Sequence, residues 1–141
     1  MVQAPADFRS DTVTRADAVM RGLMADALVG DDVLEGDPTV QRLEQAAADW
    51  LGMEGSLFVP SGTMANQVAL GAWTRPGDEI IVQRFAHVTT FEAGAAGYLH
   101  GLQSMTVGGE EGDFDLEQVK AAVRPNFIHC PPSRLICMEQ T

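Results

Sequence analysis

Apolar positions along this chain alternate between helical periods and short continuous runs. Between Arg15 and Leu28, Val19, Leu23 and Ala27 recur four apart, with Met20 and Met24 beside them, and predict a helix. The next helix is better marked. Asp37 can cap it, Pro38 suits its first position, Val40, Leu43, Ala47, Trp50 and Leu51 form one apolar face, and Gly52 ends it. Ser56 to Val59 predicts a short strand, after which Pro60-Ser61-Gly62-Thr63 opens a third helix running to about Trp73. Arg75-Pro76-Gly77-Asp78 predicts a turn, and Glu79 to Val82 a second, buried strand.

Residues 89–98 are rich in alanine and glycine and predict a closely packed helix. Leu102 to Val107 predicts a strand, and Gly108-Gly109-Glu110-Glu111-Gly112 a surface loop. Asp115 with Gln118 forms a capping-box pattern, Phe114 against Val119 the matching staple, and the helix they start ends before Pro125. Leu135 to Met138 predicts a last strand. This alternation indicates an α/β layered fold with a mainly parallel sheet. Parallel strands are joined by crossovers of about a dozen or more residues, and only Glu139, Gln140 and Thr141 follow the last run. The expectation is an incomplete sheet, the N-terminal portion of a longer polypeptide, with residues 1–14 as an arm and residues 15–141 as part of one large domain.

Composition narrows the function classes. The 141 residues are 45% hydrophobic, as in a globular protein with a buried core. A net charge of -11 argues against nucleic acid, which needs clustered Lys and Arg, and against an anionic membrane surface. Met1 to Ala6 lacks the pattern of a signal peptide, and no apolar stretch approaches the ~20 residues of a membrane helix. Cys130 and Cys137 match no zinc or redox spacing and are expected as reduced thiols of a cytoplasmic protein.

Candidate chemistry gathers at strand ends. In Leu57-Phe58-Val59-Pro60-Ser61-Gly62-Thr63-Met64, a small-residue turn opens a helix whose first N–H groups lack intrahelical partners and favour an anion. A simple cap by Ser61 explains the same residues, and no Walker A lysine follows. His87 follows the second predicted strand, where α/β folds place ligand contacts, and its imidazole is either structural or free to stack on a heteroaromatic ring. His100 has no local context. His129, ahead of Pro131 and Pro132, is ambiguous from spacing alone. Asp31, Asp32, Glu35 and Asp37 lack a calcium-loop spacing, so caps and loop solvation explain them and no metal is expected.

Five separated segments, in order, resemble the threonine aldolase (β-eliminating lyase) family of pyridoxal-phosphate enzymes. They are Phe8-Arg9-Ser10-Asp11-Thr12-Val13-Thr14; Val29-Gly30-Asp31-Asp32-Val33 with Asp37-Pro38-Thr39-Val40; Phe58 to Gln67; Ala86-His87 through Phe91-Glu92-Ala93-Gly94; and Ile128-His129 with Leu135 to Thr141. The resemblance covers the chain from Asp7. It implies part of an aminotransferase-like fold-type-I large domain with pyridoxal 5′-phosphate as cofactor, in a homo-oligomer. Ser61, Gly62 and Thr63 would hold the phosphate, His87 would stack on the pyridine ring, Ser10 would help bind the substrate carboxylate, and His129 would lie near the substrate hydroxyl. The implied activity is that of a low-specificity threonine aldolase, cleaving a β-hydroxy-α-amino acid to glycine and an aldehyde. Alternatives are another β-eliminating amino-acid lyase on the same scaffold, or a truncated non-catalytic module. Leu34 and Phe91 stand where many or some members have tyrosine, which bears on side-chain preference. The family's cofactor-binding lysine has no counterpart here: the one lysine, Lys120, sits on a helix that the pattern gives to solvent, so this chain alone is expected to be inactive.

Overall fold

A computed structural model describes residues 6–109 and 113–139. The chain divides into two compact units, Met1–Phe58 and Val59–Thr141.

In the first unit a short 3-10 helix, Asp11–Val13, precedes α1 (Ala18–Ala25) and α2 (Pro38–Leu51). The α1 helix is shorter than the apolar period over residues 15–28. Its start is set by Asp17, whose carboxylate accepts the Met20 N–H, and no residue of it is buried. The α2 helix follows the sequence pattern. Asp37 accepts from the Thr39 and Val40 N–H groups, Pro38 takes the first turn, and Gly52 closes the helix at φ 66°, a left-handed conformation that costs glycine little. No residue of the expected apolar face is fully buried, Trp50 staying 86% exposed, and the helix's buried residue is Ala48 beside it.

The expected strand from Ser56 to Val59 is absent: this segment pairs with no strand among the described residues. Its polar groups bind α2 instead, the Ser56 hydroxyl donating to the Glu44 carbonyl at 2.7 Å and the Phe58 N–H to the Glu44 carboxylate at 2.8 Å. A strand needs a neighbouring ladder, and periodicity alone does not supply one.

The second unit holds α3 (Gly62–Trp73), β1 (Glu79–Gln83), α4 (His87–Thr90), α5 (Ala95–His100), β2 (Gln103–Val107), α6 (Leu116–Ala122) and β3 (Ser133–Cys137). The three strands form a parallel sheet in the order β2-β1-β3, with Glu79 opposite both Gln103 and Ser133. All five residues of the central strand are buried. Alternation sends Ile80 and Val82 to a face packed by Leu70, Val88, Ala96 and Leu102, and Ile81 to the opposite face under Val119 and Ala122. A parallel sheet covered on both sides is the expected α/β architecture.

The single helix expected over residues 89–98 is two short ones. Ala93 at φ 53° and Gly94 at φ 73° leave the right-handed region and break it between α4 and α5. The Asp115 capping box forms in full, with Phe114 packed on the cluster that contains Val119. Part of the expected Gly108-to-Gly112 loop lies outside the described residues. Among the described residues no helix is long and apolar enough to cross a membrane.

Candidate functional site

The site is built on the start of α3. Ser61 caps it, its Oγ accepting the Met64 N–H at 3.1 Å. The N–H groups of Gly62 and Thr63 have no partner among the described residues. A Cβ placed on Gly62 would meet no atom within 4 Å, so this helix start opens onto free space. Two unpaired donors, the positive end of the helix dipole and the Thr63 hydroxyl suit a phosphate. The residues present therefore fit the anionic end of pyridoxal phosphate.

Asn66, one turn along, faces the same side as Gly62. Its Nδ2 donates to Glu92 Oε1 at 2.5 Å, and Gln67 Nε2 donates to Glu92 Oε2 at 2.6 Å. Glu92 Oε1 also meets His87 Nδ1 at 2.8 Å, so three side chains converge on one carboxylate that is fully removed from solvent. Burial pushes the Glu92 carboxyl up, but the hydrogen bonds from Asn66, His87 and Gln67 outweigh it and hold the group below its ordinary value. His87 lies just beyond the C-terminal end of β1 with its side chain 46% exposed, its ring Nδ1 is held by Glu92, and its backbone N–H donates to Glu139 Oε2 at 2.6 Å beyond β3. One imidazole edge is thus anchored while the rest faces outward, close to the Phe91 ring at a centroid distance of 5.6 Å. A flat, half-open ring held at one nitrogen can support a heteroaromatic cofactor. Beside it lies a cleft of about 570 Å³ lined by Asn66, Trp73, His87, Cys137 and Glu139.

Of the other expected site residues in this unit, His129 is not gathered here. Ser10 belongs to the first unit, where it caps the 3-10 helix and its hydroxyl meets Thr12 Oγ1 at 2.8 Å. His129 is exposed and sets its ring edge-on to Phe127, with centroids 5.2 Å apart. It precedes β3, whereas His87 follows β1, so the parallel strands separate their points of attachment. Two of the acidic loop residues serve the backbone: Asp31 accepts from Val33 and Leu34, and Asp37 also takes the Gly30 N–H. Lys120 is exposed and pairs with Glu117 at 2.8 Å. Cys130 and Cys137 are free thiols, and burial pushes the Cys137 thiol up.

Sequence reasoning passed over Asn66, Gln67 and Glu92 as functional residues. A signal existed, since each is a polar residue within an otherwise small and apolar stretch. Only the fold shows that three such residues, 26 and 25 positions apart in the two amide bonds, share one contact.

Comparison with known proteins gives a consistent result. The family model for beta-eliminating lyases matches residues 7–141. The low-specificity L-threonine aldolase 1 of Arabidopsis thaliana is 43% identical over 145 residues, covering 100% of this chain and 40% of that protein. The low specificity L-threonine aldolase of Escherichia coli K12 is 41% identical over 136 residues, 96% of this chain and 41% of its own length. A crystal structure from Exiguobacterium sp. 255-15, described as a candidate aromatic amino acid beta-eliminating lyase/threonine aldolase, superposes with a TM-score of 0.63 at 30% identity. That match covers 77% of this chain and 32% of the solved one. The chain therefore spans about two-fifths of the length of these two curated relatives.

Proposed function

This chain belongs to the beta-eliminating lyase family, and on that premise we propose that the protein carrying it is a pyridoxal-phosphate-dependent lyase acting as a low-specificity threonine aldolase. The observation that supports this best is the path from an open helix start, through Asn66 and Glu92, to a half-exposed histidine at a cleft. Gly62 and Thr63 would hold the cofactor phosphate through their backbone N–H groups, with the Ser61 and Thr63 hydroxyls beside them. His87 would lie against the ring and fix its tilt. Bound there, pyridoxal phosphate supplies an electron sink for the pair released when a bond to the substrate Cα breaks. Substrate threonine would be cleaved between Cα and Cβ to glycine and acetaldehyde. Ser10 remains our candidate for the substrate carboxylate. His129, whose ring sits edge-on to Phe127, remains our candidate for the group near the substrate hydroxyl.

The test is to incubate the intact protein with pyridoxal phosphate and threonine and to follow both products. Glycine and acetaldehyde in equal amounts are expected. Ammonia and a keto acid instead would favour another β-eliminating lyase on this scaffold, and no turnover would favour a non-catalytic module. The protein is also expected to work as a homo-oligomer on a small amino acid.

A further inference from the structure

We infer that Glu92 is a positioning residue that keeps the proton of the neutral His87 ring on Nδ1, and so makes Nε2 the histidine's proton-accepting atom at the cleft. The geometry carries this. Glu92 is 3% exposed, and both its oxygens are occupied by N–H donors. Two of those donors are amides, which do not titrate, so the pocket stabilises a carboxylate rather than a carboxylic acid. A carboxylate accepts and does not donate, so the nitrogen facing it at 2.8 Å must carry hydrogen. Nε2 has no partner among the described residues, so in the neutral ring it is the atom left with the lone pair. The chain bends directly after Glu92, with Ala93 at φ 53°, a conformation uncommon for alanine. That bend separates α4, which carries His87, from α5, and sets Glu92 inward between α3 and the histidine.

The orientation of Gln67 fits the same picture. Its Nε2 is committed to Glu92, which leaves its buried Oε1 with no partner among the described residues. An amide turned the other way would aim an acceptor at a carboxylate. The site thus tolerates an unpaired carbonyl in order to present one more donor to Glu92.

The inference rests on His87 facing the cofactor, and its test separates the two ideas. The ring nitrogens of His87 are assigned by ¹⁵N NMR of the intact protein. The neutral ring is expected in the Nδ1–H form in wild type, and a wild-type ring protonated on Nε2 overturns the inference whether or not any variant folds. Glu92→Met keeps the volume and removes the acceptor, so the ring should shift to a mixture rich in Nε2–H. Glu92→Gln keeps one oxygen that can still accept from Nδ1, and the spare Oε1 of Gln67 can turn to meet the new amide N–H. In the threonine reaction kcat should fall about 10–100-fold in Glu92→Met, with Glu92→Gln between it and wild type and KM changed less than kcat. An unchanged ring in Glu92→Met also overturns the inference. If wild type cleaves no threonine, the functional reading fails and the NMR result still decides the role of Glu92.

Discussion

At the scale of single residues, the three histidines separate by what holds them. His87 is anchored by Glu92 yet half exposed, so His87→Ala should lower both cofactor occupancy and glycine formation in the intact protein. His129→Ala should leave cofactor occupancy near wild type, because that ring contacts Phe127 and lies outside the cleft lining. His100, which the sequence left without a role, rests on the backbone of α3. A Cβ on Gly71 would come within 2.9 Å of its Cε1, so glycine makes this close approach possible. Substituting His100→Ala should therefore cost about 1–2 kcal/mol of stability through lost packing, measured by urea unfolding, with cofactor occupancy unchanged. Position in sequence singled out His87 at a strand end but gave none of these contacts, since they arise from segments distant along the chain. Absorbance of bound cofactor and a glycine assay on the three variants provide the check.

At the scale of elements, capping chemistry decides where helices begin. Asp115→Ala removes the side-chain half of a capping box, leaving the backbone N–H of residue 115 to donate to Gln118, and should destabilise α6 by about 1 kcal/mol, read as a lower urea midpoint. The loop before α2 makes a pH-dependent contribution. The N–H groups of Val40 and Gly30 hold the Asp37 carboxyl below its ordinary value, and those of Leu34 and Val33 do the same for Asp31. A carboxyl depressed in the folded state stabilises it above the unfolded value near 3.9. That contribution is lost as pH falls through the lower folded value. Asp37→Asn still caps but cannot titrate, so its stability should fall less than wild type between about pH 5 and pH 2. Identical acid profiles of urea midpoint would count against the loop assignment. These caps were legible in the sequence because their partners lie within a few residues. The strand expected at Ser56 to Val59 was not, because its apolar run suits a strand while Glu44 of α2 takes its hydrogen bonds.

At the scale of the whole molecule, the one lysine and the exposed apolar positions matter most. Lys120 pairs with Glu117 on the surface of α6 and takes no part in the cleft. Pyridoxal phosphate added to this chain by itself should give no stoichiometric visible absorption band that disappears in Lys120→Ala. A band of that kind would make Lys120 the cofactor's anchor and overturn the placement of the site. Val19, Leu23 and Met24 of α1 are 69–71% exposed, an amphipathic helix with its apolar positions toward solvent. On the ground of family resemblance we propose a homo-oligomeric intact protein, and light scattering at assay concentration should give a mass above the monomer. A fully active monomer would contradict it.

The sequence by itself determined what depends on short range and on order along the chain. It set the capped starts of α2, α3 and α6, the buried run of β1, the α/β class with parallel strands, and the family, through segments that keep their order from Asp7 onward. These follow from period, capping chemistry and motif order, each a property of neighbouring residues. Tertiary structure alone decided that Ser56 to Val59 pairs with no strand among the described residues, that residues 89–98 break at Ala93 and Gly94, and that Asn66, Gln67 and His87 meet on one buried carboxylate. The reason is physical. Which donor reaches Glu92 depends on how α3 packs beside α4 and α5 over the sheet, and the charge of that carboxyl depends on burial weighed against the hydrogen bonds that packing supplies.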